Sequence, residues 1–149
     1  MKYYVLGFVF DEKMENVIMM KKNRPEWQAG MLNGVGGKVE DNETWIEAMS
    51  REYEEEAGIY IHSSFWKHIL TLRFDNATIR VYATSNSSFY ENSHTITDEE
   101  IIKIPVRFID RRCTVVLDNP DSSVKSCKIY KVIKNIQYLI PLCIERLSI

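Results

Sequence analysis

The stretch from Thr44 to Gly58, "TWIEAMSREYEEEAG", constrains the fold most, because it specifies one helix at both ends. Thr44 suits an N-cap, and Glu47 three residues on completes a capping box. Gly58 stands where a left-handed residue closes a helix. The spacing predicts a helix over residues 45–57. Ile46, Met49, Tyr53 and Ala57 then form one apolar stripe, the side that seeks a core. Glu52, Glu55 and Glu56 fall beside it within an arc of roughly 100°. Arg51 lies four residues before Glu55 and can pair with it, but one arginine cannot neutralise three clustered glutamates. Compensation has to come from outside the helix.

The rest of the chain interleaves strands with helices, which points to the α/β class. Residues 3–10 and 16–21 are apolar and β-branched enough for strands, joined by the polar turn "DEKME". Residues 21–38, rich in glycine and asparagine, read as a loop. Strands are expected within 59–74 and 77–86, and "TITDEEIIKIPVRFI" joins an acidic knot to another. "CTVVLDN" is ambiguous, and "DNPDSS" reads as a turn. The end, residues 127–147, spaces its apolar residues in helical fashion, with Pro141 kinking or delimiting the last turns. No linker divides the 149 residues, so a single domain over 1–149 is expected.

Composition removes several classes of function. A net charge of −2 gives no reason to expect duplex nucleic acid or an anionic membrane as partner. No apolar run reaches the length of a membrane span. The opening "MKYYVLGFVF" reads as a first strand rather than a secretory signal, which predicts a cytoplasmic protein. Cys113, Cys127 and Cys143 are widely spaced without a CxxC pair, as reduced thiols would be. His62, His68 and His94 show no ligand spacing. What remains is the acidic helix and the glycines before it. Hard divalent cations take carboxylate oxygens and work alongside substrate phosphates, and "NGVGGK" lets backbone approach a ligand closely.

From Gly37 onward the segment resembles the Nudix family, whose signature is GX5EX7REUXEEXGU. Gly37, Glu43, Arg51, Glu52, Glu55, Glu56, Gly58 and Ile59 sit in register, and Tyr53 stands where the family usually carries an aliphatic residue. A tyrosine fills such a core-facing slot if its hydroxyl finds a partner. The resemblance implies an α/β/α sandwich around a mixed β-sheet. It also implies hydrolysis of a nucleoside diphosphate linked to another group, with Mg²⁺ or Mn²⁺. Carried over by position, Glu52, Glu55, Glu56 and the carbonyl of Gly36 would hold metal. Arg51 would orient the glutamates, and Glu43 would support the loop–helix geometry. A downstream carboxylate often joins them in the family; Asp98, Glu99 and Glu100 are the candidates, with Glu99 or Glu100 favoured.

"WQAGMLNGVGGK" further resembles MutT-like members that clean oxidised purine nucleoside triphosphates from the nucleotide pool. There an asparagine at the position of Asn33 bonds the base, and an amide is suited to a purine edge. A turn before Gly34 is the equal alternative for Asn33. Trp27 reads as packing before stacking, Gly37 and Lys38 or Arg24 as phosphate neighbours, and Asp118 and Asp121 as further base readers or simply a turn. The expected reaction is thus cleavage of a nucleoside triphosphate to monophosphate and pyrophosphate. ADP-ribose or dinucleoside polyphosphate hydrolysis is the alternative, and a non-catalytic nucleotide sensor the second. Small members often pair, so a homodimer is also expected.

Overall fold

The computed structural model describes residues 1–109, 114–118 and 127–149. Cys113, Asp121 and most of the "DNPDSS" turn lie outside them. Among the described residues the frame is a nine-stranded mixed sheet. Strand β1 (Lys2–Phe10) is central. It pairs in parallel with β6 (Ala77–Ser85) from Lys2↔Ala77 to Phe10↔Ser85, and antiparallel with β4 (Val35–Lys38). β2 (Asn16–Lys21) lies between β3 (Met31–Asn33) and β7 (Glu100–Pro105). β5 (Lys67–Arg73) flanks β6, while β9 (Cys127–Val132) runs parallel to β3 and carries β8 (Thr114–Asp118).

Helices cover both faces, giving the expected α/β/α layering. The strands alternate cleanly between two cores, as period two requires. Val5, Val9, Ile18 and Met20 pack with Met49, Tyr53 and Ala57 of α1 (Trp45–Ala57). Phe8, Phe10, Val17 and Met19 pack with Ile136, Leu139, Ile140 and Cys143 of α3 (Ile136–Leu147). A short α2 (Ser87–Asn92) follows β6, capped by the Asn86 side chain on the Phe89 amide. No helix among the described residues is long and apolar enough to cross a membrane.

Three expectations need correction. Residues 21–38 are not all loop, since they contain β3 and β4. Glycine there serves close approach: a Cβ on Gly36 would overlap the Val5 carbonyl of β1. The C-terminal helix does not begin at Cys127, because residues 127–132 form β9. Lys128 and Lys131 of "CKIYKV" stand three apart, so the segment carries no alternation of period two and merges with the helical spacing that follows. Of the two readings of Pro141 the delimiting one fails, because α3 continues through it to Leu147.

Candidate active site

Helix α1 has the ends its sequence specifies. The Glu47 amide donates to Thr44 Oγ1 at 3.2 Å, and the Thr44 amide donates to Glu47 Oε2 at 2.9 Å. Gly58 takes φ +82° and donates its N–H to the Glu54 carbonyl. Met49, Tyr53 and Ala57 are fully buried, which anchors the stripe on β1 and β2 and fixes the direction of the acidic side. Tyr53 finds its partner in Ser93 Oγ at 2.7 Å, and that hydroxyl donates onward to the Phe89 carbonyl.

Arg51 is the hub of the acidic side. Its Nε donates to Glu43 Oε2 at 3.0 Å and its Nη2 to Glu43 Oε1 at 2.7 Å, a two-pronged pairing. Nη2 also reaches the Lys38 carbonyl at 3.0 Å, so the guanidinium ties the 38–43 loop to the helix. Nη1 is shared between Glu52 Oε1 at 2.9 Å and Glu55 Oε2 at 3.1 Å. Hydrogen bonds from Arg51 hold the Glu43 carboxyl below its ordinary range, against the burial that opposes them.

The two inner glutamates lie in a drier setting. Glu52 lies so close to β4 that a Cβ on Gly37 would overlap its carboxyl group. Burial raises the Glu52 carboxyl, with Arg51 pulling the other way. Burial and then the negative charge of Glu52 push Glu56 up to about 7, although Lys22 and the Gly36 amide favour its charged form. Glu56 Oε2 is buried without a hydrogen-bond partner. Such an oxygen is costly to leave unpaired and is suited to a cation. Among the described residues no three ligating side chains are gathered into a ready-made cluster, since Glu52 and Glu55 are turned toward Arg51.

A family model, the NUDIX domain, matches residues 2–110, which span this helix, its glycine loop and the central strands. The chain belongs to the Nudix family. Solved structures agree in fold. MutT, from work on Aliivibrio salmonicida and Vibrio cholerae, aligns with a TM-score of 0.70 at 19% identity, over 97% of this chain and 98% of that one. A MutT/nudix family protein from Enterococcus faecalis aligns with a TM-score of 0.67 at 12% identity, over 99% of this chain and 62% of that one. No curated protein matches the sequence. As a Nudix hydrolase, the chain is assigned the family's broad activity, hydrolysis of nucleoside diphosphate-linked small molecules.

The other candidate residues of this Nudix hydrolase are spread more widely. Glu99 is 3% exposed and accepts from Lys22 Nζ at 3.0 Å and the Asn23 amide at 2.7 Å. Burial resists ionisation there, but these hydrogen bonds hold its carboxyl below the ordinary range. Asp98 pairs with Arg24 at the surface, and Glu100 is exposed in β7 opposite Lys21. Asn33 ends β3: its Oδ1 accepts from the Gly34 amide at 2.8 Å, and its Nδ2 donates to Gln28 Oε1 at 3.3 Å. Trp27 is 68% exposed, so the packing expected of it is not found; its short 3₁₀ turn lies outside both cores. Lys38 contributes its carbonyl to Arg51 and leaves its own side chain in solvent. Sequence reasoning missed Lys22, which looked like any loop cation, and Ser93, whose role depends on Tyr53.

Proposed function

We propose that this Nudix hydrolase splits nucleoside triphosphates, oxidised purine forms among them, to monophosphate and pyrophosphate with Mg²⁺ or Mn²⁺. The observation that carries the metal dependence is the buried, unpartnered Oε2 of Glu56, beside Glu52 and the glycines of β4. Oxygen donors of this kind fit a hard divalent ion. Glu52, Glu55 and Glu56, with the carbonyl of Gly36, would hold it, and Glu99 is the downstream carboxylate whose charge acts on Glu56. When bound, the ion lowers the pKa of water and offsets charge on the phosphoryl oxygens.

The protein's own residues do the rest. Arg51 aims Glu52 and Glu55 and, through Glu43 and the Lys38 carbonyl, sets the loop against the helix. Attack on a pyrophosphate releases a proton, which a carboxylate of this face accepts. The MutT-like fold over nearly the whole chain and the amide pair Asn33–Gln28 support a nucleoside triphosphate with a purine base. The buried Cys143 thiol suits a reducing cytoplasm.

The test is a panel of canonical and oxidised nucleoside triphosphates, ADP-ribose, dinucleoside polyphosphates, NADH and capped RNA, with Mg²⁺ or Mn²⁺ and products identified by mass. A nucleoside triphosphate should give the highest turnover, with pyrophosphate released, and Glu56→Gln should lower it by orders of magnitude while circular dichroism stays unchanged. Preference for ADP-ribose, or near-normal turnover in Glu56→Gln, would overturn the substrate or the ligand assignment respectively.

A further inference from the structure

In β2 the residues Ile18 and Met20 face α1, and Lys22, two residues beyond Met20, keeps to that side as the strand ends. Its Nζ rests 3.9 Å from Met20 Sδ and 3.0 Å from Glu99 Oε1, with the two charged side chains only 15% and 4% exposed. The other Glu99 oxygen is held by the Asn23 amide at 2.7 Å and the Arg24 amide at 3.4 Å, so the same loop fixes both members of the pair. Glu56 lies within electrostatic reach of Lys22 and Glu99. Arg24 Nη1 stands 3.8 Å from the same Glu99 oxygen, but that side chain is 64% exposed and paired with Asp98, and the donors of Arg51 are committed to Glu43, Glu52, Glu55 and the Lys38 carbonyl.

We propose that Lys22 is a built-in counter-ion of the metal-free site, competing with the divalent ion for the carboxylates of Glu56 and Glu99. The inference rests on the reading that these carboxylates hold metal. An ammonium on Glu99 and a divalent ion on Glu56 repel each other in a partly dry setting, where screening is weak. Loading with metal therefore weakens the Lys22–Glu99 pair, and by reciprocity that pair weakens the metal. A simple structural ion pair at the end of β2 would affect stability and leave metal affinity alone.

Mn²⁺ titration of the substrate-free full chain, read by the paramagnetic resonance of free Mn²⁺, separates these cases. Lys22→Met should bind Mn²⁺ at least about fivefold more tightly than wild type, the lower end of ordinary site coupling. Its metal-free Tm should be lower, and its tighter binding should give Mn²⁺ a larger upward shift. Lys22→Arg, which keeps the charge, should bind Mn²⁺ like wild type. Lys22→Gln should behave as Lys22→Met and serves in its place if that variant does not fold. Equal or weaker Mn²⁺ binding in the neutral variants overturns the counter-ion. Absence of Glu56-dependent Mn²⁺ binding in wild type overturns the metal reading beneath it, which is a separate result.

Discussion

Replacing Arg51 by lysine tests the hub while keeping its charge. The guanidinium makes five close contacts, to both oxygens of Glu43, to Glu52, to Glu55 and to the Lys38 carbonyl. An ammonium has no planar fork and can retain about two of them, so roughly three are lost. Hydrogen bonds to charged groups are worth about 1.5–3 kcal/mol when protected. The Arg51 side chain is 23% exposed and lysine still attracts the glutamates, which brings the loss to about 1 kcal/mol each. Arg51→Lys should then cost about 3 kcal/mol, or roughly 6–12 °C in Tm for a chain of this length. Urea unfolding in metal-free buffer measures it. A cycle with Glu43→Gln should show a coupling of about 1–2 kcal/mol, because the fork on Glu43 is the largest shared interaction. A cost below about 1 kcal/mol for Arg51→Lys would refute the hub as the element that binds loop to helix.

Two further outcomes follow from the same geometry. Gly37→Ala places a Cβ in the space of the Glu52 carboxyl group; turnover should fall by at least about tenfold while urea unfolding shows a loss of about 1–3 kcal/mol, and normal turnover would show that Glu52 need not lie there. Burial, and then the negative charge of Glu52, pushes the Glu56 carboxyl up to about 7 in the folded protein, well above the ordinary carboxylate range. A raised carboxyl keeps its proton in the native state after the unfolded chain has released it, so the native state loses stability as pH climbs through that window. The metal-free protein should lose up to about 3 kcal/mol before screening, about 2 after it, between roughly pH 4.5 and 7. Glu56→Gln should flatten that slope in urea unfolding, and an unchanged slope would mean that the strain lies elsewhere.

Helix α1 was legible because its signals are local: Thr44 and Glu47 cap within one turn, Gly58 closes the other end, and the apolar stripe repeats with the helical period. Gly36 and Gly37 misled for a physical reason. They look like breakers in isolation, and they become strand only because β1 lies close enough to exclude a Cβ from Gly36. "CKIYKV" is short enough to be absorbed into the helical pattern that follows it, and α2 is too short for any period to show. The Nudix signature marked the acidic residues, and it is silent on what tertiary folding adds. Lys22 meets Glu99 across 77 residues, and Tyr53 meets Ser93 across 40, separations at which no local pattern constrains the partner.

The parallel pairing of β1 with β6 also has a consequence for assembly. Lys2 must wait for Ala77, and Phe10 for Ser85, before the central strand has neighbours on both sides. Closing so long a segment is slow compared with forming a single helical turn. During synthesis α1 and the strands it packs on are complete before β6 exists, so a nascent chain cut off near Gly58 would carry the acidic helix on a β1 whose other edge is still unpaired.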